Sequence, residues 1–142
     1  MDTKQVGGIS VQAVVLEALD HDWGVSLPLC DNLPYDLIID NRLKLLKIQV
    51  KTAWYDDKKD LYLASVRSSC TNRKVYKHKT YDIQDFDFAV IYVKKLSVFY
   101  VMPVEVFLSY KSCVCIVEGE KRQRLPASSE YREAWHLIEK AR

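Results

Sequence analysis

Glycine, cysteine and histidine are scarce in this chain, with four Gly, four Cys and three His among 142 residues. So few glycines leave no phosphate-cradling Gly-rich loop, and neither a G-x-S-x-G nor an H-E-x-x-H pattern occurs. The cysteines, Cys30, Cys70, Cys113 and Cys115, form no C-x-x-C pair, and with only His21, His78 and His136 beside them their spacing fits no usual zinc site. Cys113 and Cys115 flank Val114 in an apolar stretch, so reduced thiols and no disulfide framework are expected. Long apolar runs are missing as well. Phe88-Ala89-Val90-Ile91-Tyr92-Val93 falls far short of the roughly 18 residues that span a bilayer, so no membrane association is expected. Met1-Asp2-Thr3-Lys4-Gln5 lacks the apolar segment of a signal peptide, and a cytoplasmic location is expected. A strong net charge is the last absence: 21 Lys plus Arg against 19 Asp plus Glu leave +2, too little to imply a nucleic-acid partner by itself.

What the chain does have is 49% hydrophobic residues, enough for one globular domain over 1–142. Residues 9–22 hold Ile9, Val11, Ala13, Val14, Val15, Leu16, Ala18 and Leu19 with no Gly or Pro among them, which predicts a helix apolar on most of its circumference. Short β-rich segments follow at 25–29, 35–40 and 43–52, predicting an antiparallel meander, with a fourth strand at 61–66. Segments 88–93 and 98–102 form a second apolar pair, and Pro103 redirects the chain into a short helical stretch. Tyr131, Ala134, Trp135 and Ile138 follow helical spacing, with Ser128 or Ser129 as the cap of a closing helix. The order predicts a single α/β (α+β) domain around a mixed sheet.

The residues that carry chemistry lie in the meander. Pro34-Tyr35-Asp36 opens an apolar strand, and thirteen residues after Asp36 comes Gln49-Val50-Lys51. Period-two alternation turns Leu46, Ile48 and Val50 to the core and Lys47, Gln49 and Lys51 to the other face, so Gln49 and Lys51 project together. With Asp36 near the open end of the hairpin, the trio offers an anionic oxygen, a neutral oxygen and an ammonium. That set suits a hard divalent cation beside a phosphate. Read without further context, Asp36 is equally a turn carboxylate, and Lys47, Gln49 and Lys51 the solvated face of an amphipathic strand.

At these residues the sequence resembles the PD-(D/E)-x-K nuclease superfamily, and within it the small bacterial group I intron homing endonucleases. The resemblance implies a restriction-endonuclease-like core, α-β-β-β-α-β, with a central mixed sheet flanked by helices. It implies that Asp36, Gln49 and Lys51 are catalytic, that Asp36, Gln49 and Val50 hold the metal, Mg²⁺ with Mn²⁺ as substitute, and that the partner is double-stranded DNA in a bacterial cytoplasm. Two positions depart from the pattern. Gln49 replaces the usual acidic residue, which removes one charge from the metal site, so tight metal binding is expected only with a DNA phosphate present. In the first helix the resemblance equates Gln12 with a metal-binding Glu of relatives and so implies that Gln12 belongs to the catalytic set. The rivals are a Holliday-junction resolvase-like nuclease and a non-catalytic DNA-binding module on the same fold.

The modest net charge conceals an uneven distribution. From 61 to 81 there are five cations, Arg67, Arg73, Lys74, Lys77 and Lys79, and no acid, so the rest of the chain carries 16 basic against 19 acidic residues. Interleaved with Ser68, Thr71, Asn72, Tyr76 and His78, these cations suit a phosphate-tracking arm, while a solvated polar loop is the alternative. If all five met phosphates, log K would fall with log salt at a slope of about −4 to −5. Lys121-Arg122-Gln123-Arg124, flanked by Glu118 and Glu120, is equally compatible with a DNA contact and an ordinary turn. A chain of this length has a radius of gyration of about 14–15 Å and covers roughly 11 base pairs, so a long two-fold site calls for a homodimer or homotetramer.

Overall fold

The computed structural model describes residues 1–72, 75–119 and 124–142, with side chains described outside 69–78. The first helix, α1 (Thr3–Asp20), begins six residues before the apolar run because a capping box starts it. The Asp2 carboxylate accepts from the Gln5 N–H at 2.8 Å, and the Asp2 N–H donates to the Gln5 side-chain oxygen at 3.3 Å. These caps offset Gly7 and Gly8, each costing about 1 kcal/mol in a helix. Ser10, Val14 and Ala18 are buried, whereas Leu16 and Leu19 are 62% and 52% exposed. The helix therefore packs along one stripe, narrower than its apolar content predicts.

After α1 come β1 (Gly24–Ser26), β2 (Leu37–Asp40) and β3 (Leu45–Thr52), the expected antiparallel meander. Then follow β4 (Trp54–Asp56), β5 (Leu61–Ser65), β6 (Ser68–Asn72), β7 (Val75–Lys79), β8 (Phe88–Val93) and β9 (Val98–Pro103). The last elements are α2 (Val104–Ser109), β10 (Cys113–Ile116), a 3₁₀ turn at Ala127–Tyr131 and α3 (His136–Glu139). The central sheet has the order β1-β2-β3-β8-β9, with β3 and β8 parallel and the other neighbours antiparallel, so the α+β class with a mixed sheet is as expected.

The crossover between the two parallel strands differs in detail from the expected α-β-β-β-α-β order, because its described residues are strands and contain no helix. β5 pairs with β4 and β10 in a second sheet, and β6 pairs with β7 in a two-stranded ribbon. Tyr62, Ala64 and Val66 supply the reason: at alternating positions of this run they pack with Phe86, Phe107, Val114 and Ile116 over the sheet face where Ala89, Ile91, Tyr100 and Met102 stand. α1 covers the opposite face, packing Val14 and Ala18 on Leu37, Ile39, Ile48, Val50 and Val90. Among the described residues no helix is long and apolar enough to cross a membrane.

The closing helix is also shorter than its spacing predicts. Glu133 adopts φ 50 and interrupts it. The cause is the exposed edge of β9: the Glu133 N–H donates to the Phe99 carbonyl at 2.7 Å, while its carboxylate accepts from the Phe99 N–H and the Trp135 indole, each at 2.9 Å. Ala134, Trp135 and Ile138 are buried nonetheless. Ser128, expected as a cap, donates instead to the Cys115 carbonyl at 2.5 Å.

Asn41 joins this C-terminal segment to the meander. Its Oδ1 accepts from the N–H groups of Leu43 and Lys44 at 2.9 and 2.8 Å, closing the β2–β3 turn. Its Nδ2 donates to the carbonyls of Ile138 and Ala141 at 2.6 and 2.8 Å.

Candidate active site and nucleic-acid interface

The site arises where β2 stops short. The β2–β3 ladder ends at Leu37 opposite Ile48, but β3 runs on to Thr52, leaving the β2-side edge of Val50 without a strand partner. In a strand the N–H and C=O of one residue point the same way, so both Val50 groups face this gap. The Asp36 backbone N–H still donates to the Ile48 carbonyl at 2.8 Å, and its side chain continues where the strand does not: Oδ2 accepts the Val50 N–H at 2.7 Å. That bond fixes the carboxylate beside the Val50 carbonyl, to which the Gln49 Nε2 donates at 3.2 Å. The alternation read from the sequence places Gln49 and Lys51 on the face opposite α1, half-buried, with Leu46, Ile48 and Val50 in the core beneath the helix.

Lys51 closes the arrangement. Its Nζ donates to the Arg67 carbonyl at 3.0 Å and lies 4.8 Å from the centroid of the Tyr81 ring. Burial lowers its pKa to about 8 against the opposing pull of Asp36. Burial raises Asp36 in turn, resisted by the Val50 N–H and by Lys51. Both charges thus remain underpaid by each other, the condition in which added cationic and anionic partners are most favourable. Tyr81 is pushed up to about 12, by burial first and with Asp36 and Asp85 contributing, against a hydrogen bond from Ser68.

The donors around the gap are a carboxylate, a side-chain amide and a main-chain carbonyl. These are hard oxygen ligands suited to Mg²⁺ or Mn²⁺ once the Gln49 amide turns its oxygen, in place of its nitrogen, toward the gap. Among the described residues no group of three or more His, Cys, Asp or Glu gathers as a metal site, in keeping with Gln49 standing where an acid is usual.

Gln12 is not brought to this cluster. It is exposed, about 160° around the helix from buried Ser10, whose hydroxyl lies 2.6 Å from that of Thr52 on the α1 face of the sheet. Gln12 instead lines a shallow surface hollow with Met1, Gln5, Gly8 and Ile9.

The cationic stretch becomes the β6–β7 ribbon. Arg67, exposed, immediately precedes it, Lys79 stands opposite Ser68 at its base, and Lys77 stands opposite Cys70 in the backbone register. Arg73 and Lys74 lie outside the described residues, as do Lys121, Arg122 and Gln123 of the second cluster; Arg124 is exposed. The ribbon is thereby anchored beside Lys51. Tyr81, which the sequence offers only as one of the polar groups interleaved with the cations, stands against Lys51: it lies thirty residues further on, and no local pattern couples the two.

The profile of the PD-(D/E)XK endonuclease family matches residues 1–138. Among solved structures, that of a bacterial homing endonuclease, I-Ssp6803I, superposes with a TM-score of 0.92 at 49% sequence identity, covering 98% of this chain and 94% of that one. No curated protein matches. With the open edge of β3 and the Asp36, Gln49 and Lys51 cluster in place, these two matches establish that the chain belongs to the PD-(D/E)XK endonuclease family.

Proposed function

We propose that this site-specific DNA endonuclease is of the homing type, cuts double-stranded DNA by metal-dependent hydrolysis at the Asp36, Gln49 and Lys51 cluster, and acts in the bacterial cytoplasm as a homodimer or homotetramer. The observation that carries the assignment is the gap beside Val50, where the Asp36 carboxylate, the Gln49 amide and the Lys51 ammonium meet around an unpaired strand edge. Asp36, Gln49 and the Val50 carbonyl would hold Mg²⁺. The ion, when bound, supplies Lewis-acid polarisation of the scissile phosphate and charge for the leaving oxygen.

The protein's own groups do the rest. Asp36, held by the Val50 N–H, and Gln49 mark the place beside the strand edge that the ion would take. Lys51 donates hydrogen bonds to the attacking water and to the developing phosphorane as the new P–O bond forms and the bond to the leaving sugar oxygen breaks. Arg67 and Lys79, with Arg73, Lys74 and Lys77, meet phosphates along the ribbon and align the duplex with the cluster.

The test is the Lys51→Ala variant assayed for both binding and cleavage. It is expected to hold its DNA target with unchanged affinity and to lose cleavage, which EDTA also abolishes in the parent. Full cleavage by Lys51→Ala would remove the cluster from catalysis.

A further inference from the structure

Lys51 reaches from β3 to both bases of the cationic ribbon. Its Nζ bonds the main-chain carbonyl of Arg67, one residue before β6, and faces the ring of Tyr81, two residues after β7. A lysine ammonium on a flexible four-carbon stem has many orientations available, and a single carbonyl contact leaves most of them open. The Tyr81 ring supplies the second constraint, and it is itself held from the core. Phe86 meets it edge-on at 5.2 Å and 82°, and Phe86 is in turn packed edge-on against Phe107 at 5.9 Å in the core. An aromatic face fixed in this way attracts a cation through its quadrupole, most strongly where water is partly excluded.

We propose that Tyr81 is a positioning residue: its ring face holds the Lys51 ammonium in the orientation that cleavage requires, so that the ribbon gripping DNA also sets the catalytic lysine. The Phe107, Phe86 and Tyr81 series carries that orientation from the core. The inference rests on Lys51 acting at the scissile phosphate.

The experiment measures single-turnover cleavage with Mg²⁺ and, separately, DNA affinity without metal, for the full chain and for Tyr81→Met, Tyr81→Phe and Lys51→Ala. Tyr81→Met keeps apolar bulk against Phe86 but no ring. It is expected to cleave roughly ten- to thirtyfold more slowly with unchanged affinity, whereas Tyr81→Phe retains most of the rate. Phenylalanines of increasing ring fluorination at position 81 keep the shape while weakening the ring face, and the rate is expected to fall with each step. Four results overturn the proposal: Tyr81→Met cleaving at the parent rate, Tyr81→Phe as slow as Tyr81→Met, a rate indifferent to fluorination, or affinity falling in step with rate. Full cleavage by Lys51→Ala would instead overturn the assignment of Lys51 on which the proposal stands.

Discussion

Asn41→Ala is expected to cost about 2–4 kcal/mol of folding stability. The side chain is buried and makes four hydrogen bonds, two to the N–H groups of Leu43 and Lys44 and two to the carbonyls of Ile138 and Ala141. Leu43 and Lys44 are exposed, so their N–H groups recover water, and each lost bond costs only about 0.5–1 kcal/mol. Ile138 is fully buried, and its carbonyl, which accepts from Asn41 at 2.6 Å, keeps only the longer 3.2 Å bond from the Ala141 N–H, a loss of about 0.5–1.5 kcal/mol. The Ala141 bond adds about 0.5–1 kcal/mol. Urea unfolding followed by tryptophan fluorescence reads the loss directly, because Trp23 and Trp135 are both buried near this tie. The slope against urea should be unchanged and the midpoint lowered, with Tm falling by about 10 °C. Asn41→Asp separates the two halves of the tie: it keeps an acceptor for the turn but sets a carboxylate oxygen against two carbonyls, and should be no more stable than Asn41→Ala. A loss below about 1 kcal/mol for Asn41→Ala, or parental stability for Asn41→Asp, would refute this account of how the C-terminal segment is held.

Gln49→Glu restores a charge beside Asp36 and is expected to tighten Mg²⁺ binding to the DNA-free protein at least roughly tenfold, measured by titration calorimetry; unchanged affinity would place the metal elsewhere. Gln12→Glu is expected to leave both metal affinity and cleavage within about twofold of the parent, because the side chain faces solvent on the far side of α1. A marked rise in cleavage would show that α1 turns toward the site on DNA. Lys51 gives a pH signature in the metal-free protein. The folded state releases its proton near pH 8 while the unfolded chain keeps it to about 10.5, so the unfolded state binds more protons between these values and stability rises with pH across them. Lys51→Met is expected to lose that rise in urea titrations run at a series of pH values, and its persistence would contradict the burial of the ammonium.

Where local pattern and tertiary structure agreed, the sequence was readable. Unbroken alternation over 45–52 set the faces of β3, so Gln49 and Lys51 were placed together before any fold was known, and the short turn at Asn41-Arg42 brought Asp36 back beside them. Family resemblance then supplied the chemistry. The misses share a physical cause in contacts far apart along the chain. Glu133 breaks a well-spaced helix because a distant strand edge offers its backbone and carboxylate better bonds. Gln12 carried the expected residue type for a Glu substitute, but the helical stripe chosen by Ser10, Val14 and Ala18 turns it outward. Tyr81 gave no local signal, since its meaning depends on a ring meeting an ammonium across the crossover.

The parallel pairing of β3 with β8 also bears on how the enzyme comes into being on the ribosome. The β2–β3 hairpin closes through a short turn, whereas β3 waits for residues 53–87 to emerge before β8 can dock, and Asn41 waits for Ile138 and Ala141. Loop closure of that span is slow compared with a hairpin. Asp36, Gln49 and Lys51 are therefore synthesised early but brought to a working geometry late, after the stretch that carries Tyr81 and the ribbon has been made. With catalysis assigned to that cluster, a nascent chain would stay silent through most of its own translation.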